Sequence, residues 1–453
     1  MNTSIILNSD SYKYSQWKHY PPGTETVYSY IESRGGKWPS TVFFGLQAFI
    51  KEYLTKPITM YDIDEAEEII LAHGEPFNRA GWEYILKEYN GMLPVRIKAV
   101  PEGSIVPVRN VLATIENTDK NCAWLTSFLE TPTLRAIWYP TTVATNSYES
   151  KLIILKWLRT TGDISDIDFK LHDFGSRGVS SLESSGLGGA AHLVNFKGTD
   201  NVAGLLAAKK YYSASMAGFS VPATEHSCVT SWGRDSEVDA YRHIIKAHPN
   251  GIVSIVSDSY DIYNACKIFG TELKDDIIKN NVNLVIRPDS GIPHEVVPKC
   301  LEILSYYFGY TLNEKNYKEL NNVKVLQGDG ITGEEINKIC QDSAYYRFSV
   351  NNILFGQGGG LLQQLDRDTL KFAMKCSSVT VNGSERDVYK DPITDVGKKS
   401  KTGRVTLYKE DGEYYSGLES DKKSELVTVF ENGELKNEIS FEQVRKNACG
   451  NTG

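Results

Sequence analysis

Val282–Asn283–Leu284–Val285–Ile286–Arg287–Pro288–Asp289–Ser290–Gly291 is a short β-rich run that passes directly into a polar loop. Apolar residues dominate Val282–Ile286, Pro288 and Gly291 stiffen and turn the loop, and a helical pattern fits 294–307. That is one βα unit. Working outward, the same sentence recurs at Phe169–Phe174, the Leu193–Phe196 run, the segment leading to His226, Ile252–Val256, Val323–Leu326 and Ile353–Phe355. Helices fit 200–212, 235–247, 261–273, 294–307 and 333–342. Strands alternating with helices predict a parallel sheet, and six or seven units in about two hundred residues predict an irregular βα barrel rather than an open sheet.

In such barrels chemistry gathers on the loops after the strands. The polar signatures fall there: His172–Arg177, Lys197–Asp200, Glu225–His226, Ser257–Ser259, Arg287–Gly291, Gln327–Gly330 and Gly356–Gly360. The stretch Gly218–Ser227 carries a histidine, an acid and three hydroxyls on a backbone stiffened by Pro222. His226 is therefore a candidate for presentation to a cleft.

The flanks read differently. Residues 1–25 are irregular and rich in rings (Tyr12, Tyr14, Trp17, Tyr20), which favours packing over disorder. Val27–Glu32 alternates as a strand. Helices are expected near 43–54, 62–72, 79–90, 121–137 and 142–160, with strands at Val95–Val100 and Val111–Asn117. After 369 come Leu370–Met374, Ser377–Val381, Arg404–Tyr408, Glu413–Tyr415 and Leu426–Phe430, with hairpin signals at Asp411–Gly412 and Asn432–Gly433. The predicted organisation is an α+β domain from 1–160 and 369–453 around a βα barrel at 161–368.

The chain has 453 residues, 41% hydrophobic and 23% charged, with a formal net charge of -8 that argues against broad nucleic-acid binding. Local Arg and Lys can still hold a small anion. Seven scattered cysteines without a C-x-x-C pair fit reduced thiols and no zinc framework. No stretch has a signal-peptide layout or approaches the ~20 apolar residues of a bilayer span. A cytoplasmic protein is expected, with no membrane partner.

Glycines 356–360 can bring N–H groups against phosphate or simply form a tight turn; neither a P-loop nor a dinucleotide fingerprint is present. Arg287 suits phosphate, and Asp289 suits sugar hydroxyls, a magnesium shell or Arg287 itself. Asp329 sits between Gly328 and Gly330, and Arg367 adds a further phosphate candidate. Phe174 and Arg177 share one loop, suited to stacking a flat heterocycle, although core filling is the ordinary use of a phenylalanine. The residues point to a phosphorylated sugar with a planar aromatic partner, and magnesium near the carboxylates.

At these same loops the sequence resembles the nicotinate/nicotinamide phosphoribosyltransferase family. The carrying motifs are Asp10–Lys13, Val27–Tyr30, Lys98–Gly103, Lys170–Gly175, His192–Asp200, Val256–Asp261, Ile286–Gly291 and Gly358–Gln363. The resemblance implies a type II phosphoribosyltransferase-like barrel converting nicotinamide and phosphoribosyl pyrophosphate to the mononucleotide and pyrophosphate. It implies Mg²⁺, ATP assistance through a phosphohistidine at His226 oriented by Asp258, and a homodimer with shared sites. Phe174 and a second-subunit Tyr12 would sandwich the ring, Asp200 would accept the amide, and Arg177 would line the ring and phosphate site. Arg287, Asp289, Gly328, Asp329, Gly358 and Gly359 match ribose and phosphate contacts, with Asp289 counted as catalytic. Arg34, Arg367 and Lys375 match outer phosphate contacts, and Ser220 and Ser254 join the substrate-binding set. Thr224 and Cys228 read as tolerated variations. Two alternatives stand beside this reading: a nicotinate-specific enzyme, disfavoured by Asp200, and a non-catalytic nucleotide-binding barrel, disfavoured by the His226–Asp258 set.

Overall fold

The structure is a computed structural model that describes residues 4–394 and 399–449. The chain divides into two compact units, one of Asn146–Lys209 and Ser215–Gln364, the other of Met1–Thr145, Lys210–Ala214 and Leu365–Gly453.

The first of these holds the βα repeat. Its strands are β1 (Leu171–Asp173), β2 (Gly198–Thr199), β3 (Ile252–Val256), β4 (Asn283–Arg287), β5 (Val323–Gln327) and β6 (Ile353–Gln357). All pair in parallel in the order β2-β1-β6-β5-β4-β3. Aliphatics of alternate positions, among them Ile255, Leu284, Ile286, Val325 and Phe355, pack against Ala265, Val297, Leu301 and Ile336 of the intervening helices. Burying them drives the sheet and helices together.

The segment leading to His226 is not a regular strand. It closes the sheet instead. Phe219 bridges Gly198 of the edge strand β2, and Ala223 bridges Ser254 of the opposite edge strand β3. Four backbone hydrogen bonds hold it: Thr199 N to Phe219 O (3.0 Å), Phe219 N to Lys197 O (2.7 Å), Thr224 N to Ser254 O (3.0 Å) and Ser254 N to Pro222 O (2.9 Å). Pro222 has no N–H, so this seventh seat of the barrel cannot form a full ladder. The result is an irregular barrel, as expected.

The Leu193–Phe196 run is also not a strand: helix Leu182–Leu193 ends there, and pairing begins only at Gly198. Glycines 186, 188 and 189 lower helix propensity and hide this helix from a sequence reading. Packing explains one of them: a Cβ on Gly189 would lie 2.9 Å from the Cα of Gly204 on the neighbouring helix Val202–Tyr212.

The other unit is built on a seven-stranded antiparallel sheet shared by both ends of the chain. Its order is Ser384–Asp387, Phe372–Val381, Thr24–Ser33, Val111–Asn117, Val95–Ala99, Val427–Glu431 and Glu434–Leu435. Leu370–Met374 and Ser377–Val381 merge into the one strand Phe372–Val381. The hairpin signals hold, with Asp411, Gly412, Asn432 and Gly433 all at positive φ. The aromatic N-terminus forms short 3₁₀ turns packed on this unit. Tyr14 meets Phe128 edge-on at 5.3 Å and donates its hydroxyl to Ile6 O. The helices expected at 121–137 and 142–160 are instead Trp124–Phe128 and one continuous helix, Glu130–Thr161, with Pro140 inside it. Pro140 forfeits one hydrogen bond, but buried Leu134, Ile137, Val143 and Ala144 around it keep the helix intact.

Candidate active site

The parallel barrel collects its polar residues at the C-terminal ends of its strands. After β1, Asp173 is fully buried, and its carboxylate accepts from Gly175 N (2.7 Å) and Asn201 Nδ2 (2.9 Å). Burial is the main cause that pushes this acid up to about 6. Its backbone carbonyl accepts from Asp200 N at 3.0 Å, so one residue fixes the starts of two loops. One of those loops carries Phe174 and Arg177. The Phe174 ring lies on backbone: a Cβ at Gly356 would come within 2.1 Å of the ring, and one at Gly328 within 3.2 Å. Gly356 is required for this approach. Phe174 is thus a partly exposed ring on a glycine floor rather than core filling. Arg177 is exposed on a 3₁₀ turn. In the other loop, Asp200 is exposed and accepts the hydroxyl of Ser220, from the closing segment, at 2.6 Å.

Beyond that segment, His226 starts a short helix, Ser227–Thr230, with its side chain about half exposed. His226 Nε2 lies 3.0 Å from Asp258 Oδ1 in the loop after β3. Opposite a carboxylate, Nε2 is the nitrogen that carries the proton, which leaves the Nδ1 lone pair available. Asp258 is almost fully buried, and its other oxygen accepts from Asp289 N (3.1 Å) and Ser290 Oγ (2.5 Å). Burial raises its pKa, but Ser290, His226 and the Asp289 amide outweigh burial and hold the acid below its ordinary value.

Asp289 goes the other way. Burial raises its pKa; Arg287 pulls it down, while Asp258 and Asp329 push it further up. Arg287 sends Nη2 to Thr224 O at 2.9 Å, and its buried Nε has no partner among the described residues. An unpaired guanidinium N–H is a standing demand for an acceptor. Buried Ser254 Oγ, Gln327 Oε1 and Gln357 Oε1 are likewise unsatisfied. Asp329 is exposed, and Gly358 and Gly359 open the short helix after β6 with room above Gly359.

Phe174, Arg177, Asp200, Ser220, His226, Ser254, Asp258, Arg287, Asp289, Gly328, Asp329, Gly358 and Gly359 therefore share the barrel unit. Tyr12, Arg34, Arg367 and Lys375 belong to the other unit. There Tyr12 is 53% exposed beside Lys13, which pairs with Glu130 at 2.5 Å. Lys375 Nζ donates to Met374 O, and burial lowers its pKa. Arg367 is exposed beside Asp368, and Arg34 bonds Lys371 O at 3.5 Å.

The sequence reading missed two residues. Thr224, taken as a tolerated variation, is buried and bonds through all three polar groups: N to Ser254, Oγ1 from Val256 N (2.9 Å) and O from Arg287. Ser290 is the second, and only its neighbour in space, Asp258, marks it out.

The fold resembles two solved structures: nicotinate-nucleotide pyrophosphorylase from Pyrococcus furiosus (TM-score 0.64, 16% identity, 98% of this chain and 94% of that one) and human nicotinic acid phosphoribosyltransferase (TM-score 0.59, 15% identity, 98% and 93%). The architecture is that of a type II phosphoribosyltransferase. In sequence, residues 169–434 match the nicotinate phosphoribosyltransferase family and residues 4–97 match the N-terminal domain of nicotinamide phosphoribosyltransferase. A protein of Xanthomonas campestris pv. campestris named nicotinamide phosphoribosyltransferase is 52% identical over 98% of both chains. This chain belongs to the nicotinate phosphoribosyltransferase family and is an enzyme, a pentosyltransferase.

Proposed function

We propose that the enzyme joins nicotinamide to phosphoribosyl pyrophosphate, forming nicotinamide mononucleotide and pyrophosphate for NAD salvage, and that ATP assists through phosphorylated His226. The observation that carries the choice of base is Asp200, an exposed carboxylate held by Ser220 one loop from the Phe174 ring. A carboxylate accepts an amide N–H but repels the carboxylate of nicotinate. The 52% identical relative supports the same choice.

In this reading Phe174 stacks one face of the pyridine and Tyr12 of the partner subunit the other. The pyridine nitrogen attacks C1 of the ribose, the C1–oxygen bond breaks, and its electrons leave with pyrophosphate. Arg287 with its unpaired Nε, Gly358 and Gly359 receive phosphate oxygens, and Asp289 receives ribose hydroxyls. Ser254 Oγ, Arg177 and the outer cations Arg34, Arg367 and Lys375 complete the substrate contacts. Among the described residues no three His, Cys, Asp or Glu converge into a metal cage. Asp329, exposed in the loop after β5, would hold a magnesium ion brought by the diphosphate. Bound there, it offsets charge on the leaving group.

His226 Nδ1 attacks the terminal phosphorus of ATP, the bridging P–O bond breaks, and ADP departs. The resulting imidazolium charge rests against Asp258 through Nε2–H. Water later takes the phosphoryl group and returns the histidine. The buried cysteines Cys122, Cys266, Cys300 and Cys340 form no disulfide, which suits a reducing compartment such as the cytoplasm.

Product analysis with phosphoribosyl pyrophosphate and either base tests the reading: nicotinamide should be consumed well ahead of nicotinate, and the reverse order overturns it. Incubation with γ-labelled ATP should label the wild type and not His226→Ala. Equal labelling of the two removes the phosphohistidine.

A further inference from the structure

Asp258 serves two loops at once. Oδ1 faces His226 Nε2 at 3.0 Å, and Oδ2 accepts Ser290 Oγ at 2.5 Å and Asp289 N at 3.1 Å. Ser290 stands next to Asp289 in the loop that follows β4, whose last residue is Arg287. The carboxylate is a rigid planar group with only 5% of its side chain exposed, so its two oxygens cannot reorient independently.

We propose that Ser290 is a positioning residue that couples the phosphoribosyl loop to the phosphohistidine. This inference rests on the His226 reading above. The Ser290 hydroxyl ties the loop to Asp258, and Asp258 sets the tautomer and direction of the His226 ring. A ligand that seats itself on Asp289 and Arg287 therefore acts on the same carboxylate that directs His226 Nδ1. ATP cleavage is thereby kept in step with occupancy of the sugar-phosphate loop. Without the hydroxyl, Asp258 keeps His226 and the Asp289 amide, so phosphorylation itself survives while its link to the loop is weakened. Loss of a hydrogen bond to a charged group loosens this link by roughly tenfold or more.

The experiment compares wild type, Ser290→Ala, Ser290→Thr and His226→Ala in two assays. One is label transfer from γ-labelled ATP, with and without phosphoribosyl pyrophosphate. The other is the number of ATP molecules hydrolysed per mononucleotide formed. Ser290→Ala should still take label, but its labelling should respond less to phosphoribosyl pyrophosphate, and its ATP consumption per product should rise severalfold. Ser290→Thr keeps the hydroxyl and should restore the wild-type ratio. A wild-type ratio and response in Ser290→Ala overturns the proposal, as does a threonine variant as uncoupled as the alanine one. If His226→Ala labels like wild type, the phosphohistidine reading fails first, and that outcome is distinct from normal labelling with unaltered coupling in Ser290→Ala.

Discussion

At Asp173, burial in the barrel changes how one carboxyl titrates. Its native carboxyl keeps a proton up to about 6, whereas the unfolded one releases it near the ordinary value of 3.8. In that window the folded state binds more protons, so stability is greatest below it and falls as pH rises through it, by about 3 kcal/mol in total. Urea midpoints taken between pH 4 and 6 should show this slope, and Asp173→Asn should flatten it. Parallel profiles for the two proteins would clear Asp173 of the effect. Its identity was legible in the sequence, as one acid among five on post-strand loops. Its burial was not, because the Asn201 amide that bonds it, itself anchored on Ser185 O of helix Leu182–Leu193, comes to it only in the fold.

At the scale of elements, the closing segment Phe219–Thr224 holds the two edges of the parallel sheet through few bonds. Thr224 carries three of the contacts there, and its Oγ1 satisfies the buried amide of Val256. Thr224→Val keeps the shape and deletes the acceptor, so a loss of about 1–3 kcal/mol is expected from stranding that N–H. Chemical denaturation reads it directly, and an unchanged midpoint would mean the segment closes the barrel without this bond. Of the barrel strands, β1 and β3 to β6 were found from their apolar runs to within two residues, whereas the two-residue β2 was missed. Helix Leu182–Leu193 escaped because three glycines depress local propensity where close helix packing needs them. The break expected near Pro140 was overridden by burial around it.

For the whole molecule, the proposed dimer with shared sites has a direct consequence. Tyr12→Ala and Asp289→Ala subunits should each be nearly inactive alone. Unfolded, mixed and refolded together, they should regain up to about one quarter of wild-type activity, since half the dimers are mixed and each holds one complete site. Activity that stays at the level of the separate variants would mean that each site is built within one chain.

The sequence by itself determined the rhythm of strands, loops and helices, the chemistry offered on each loop, and the Asn–Gly and Asp–Gly turns of the β-rich tail. These are local properties, written in apolar periodicity and in residues whose φ is restricted or free. Only the tertiary structure decided that Phe219–Thr224 closes the barrel across Pro222, that Phe174 rests on Gly356, and that Asp258 is shared by His226 and Ser290. Each of those depends on groups about twenty to nearly two hundred residues apart meeting in the folded chain, and no local preference encodes such a meeting.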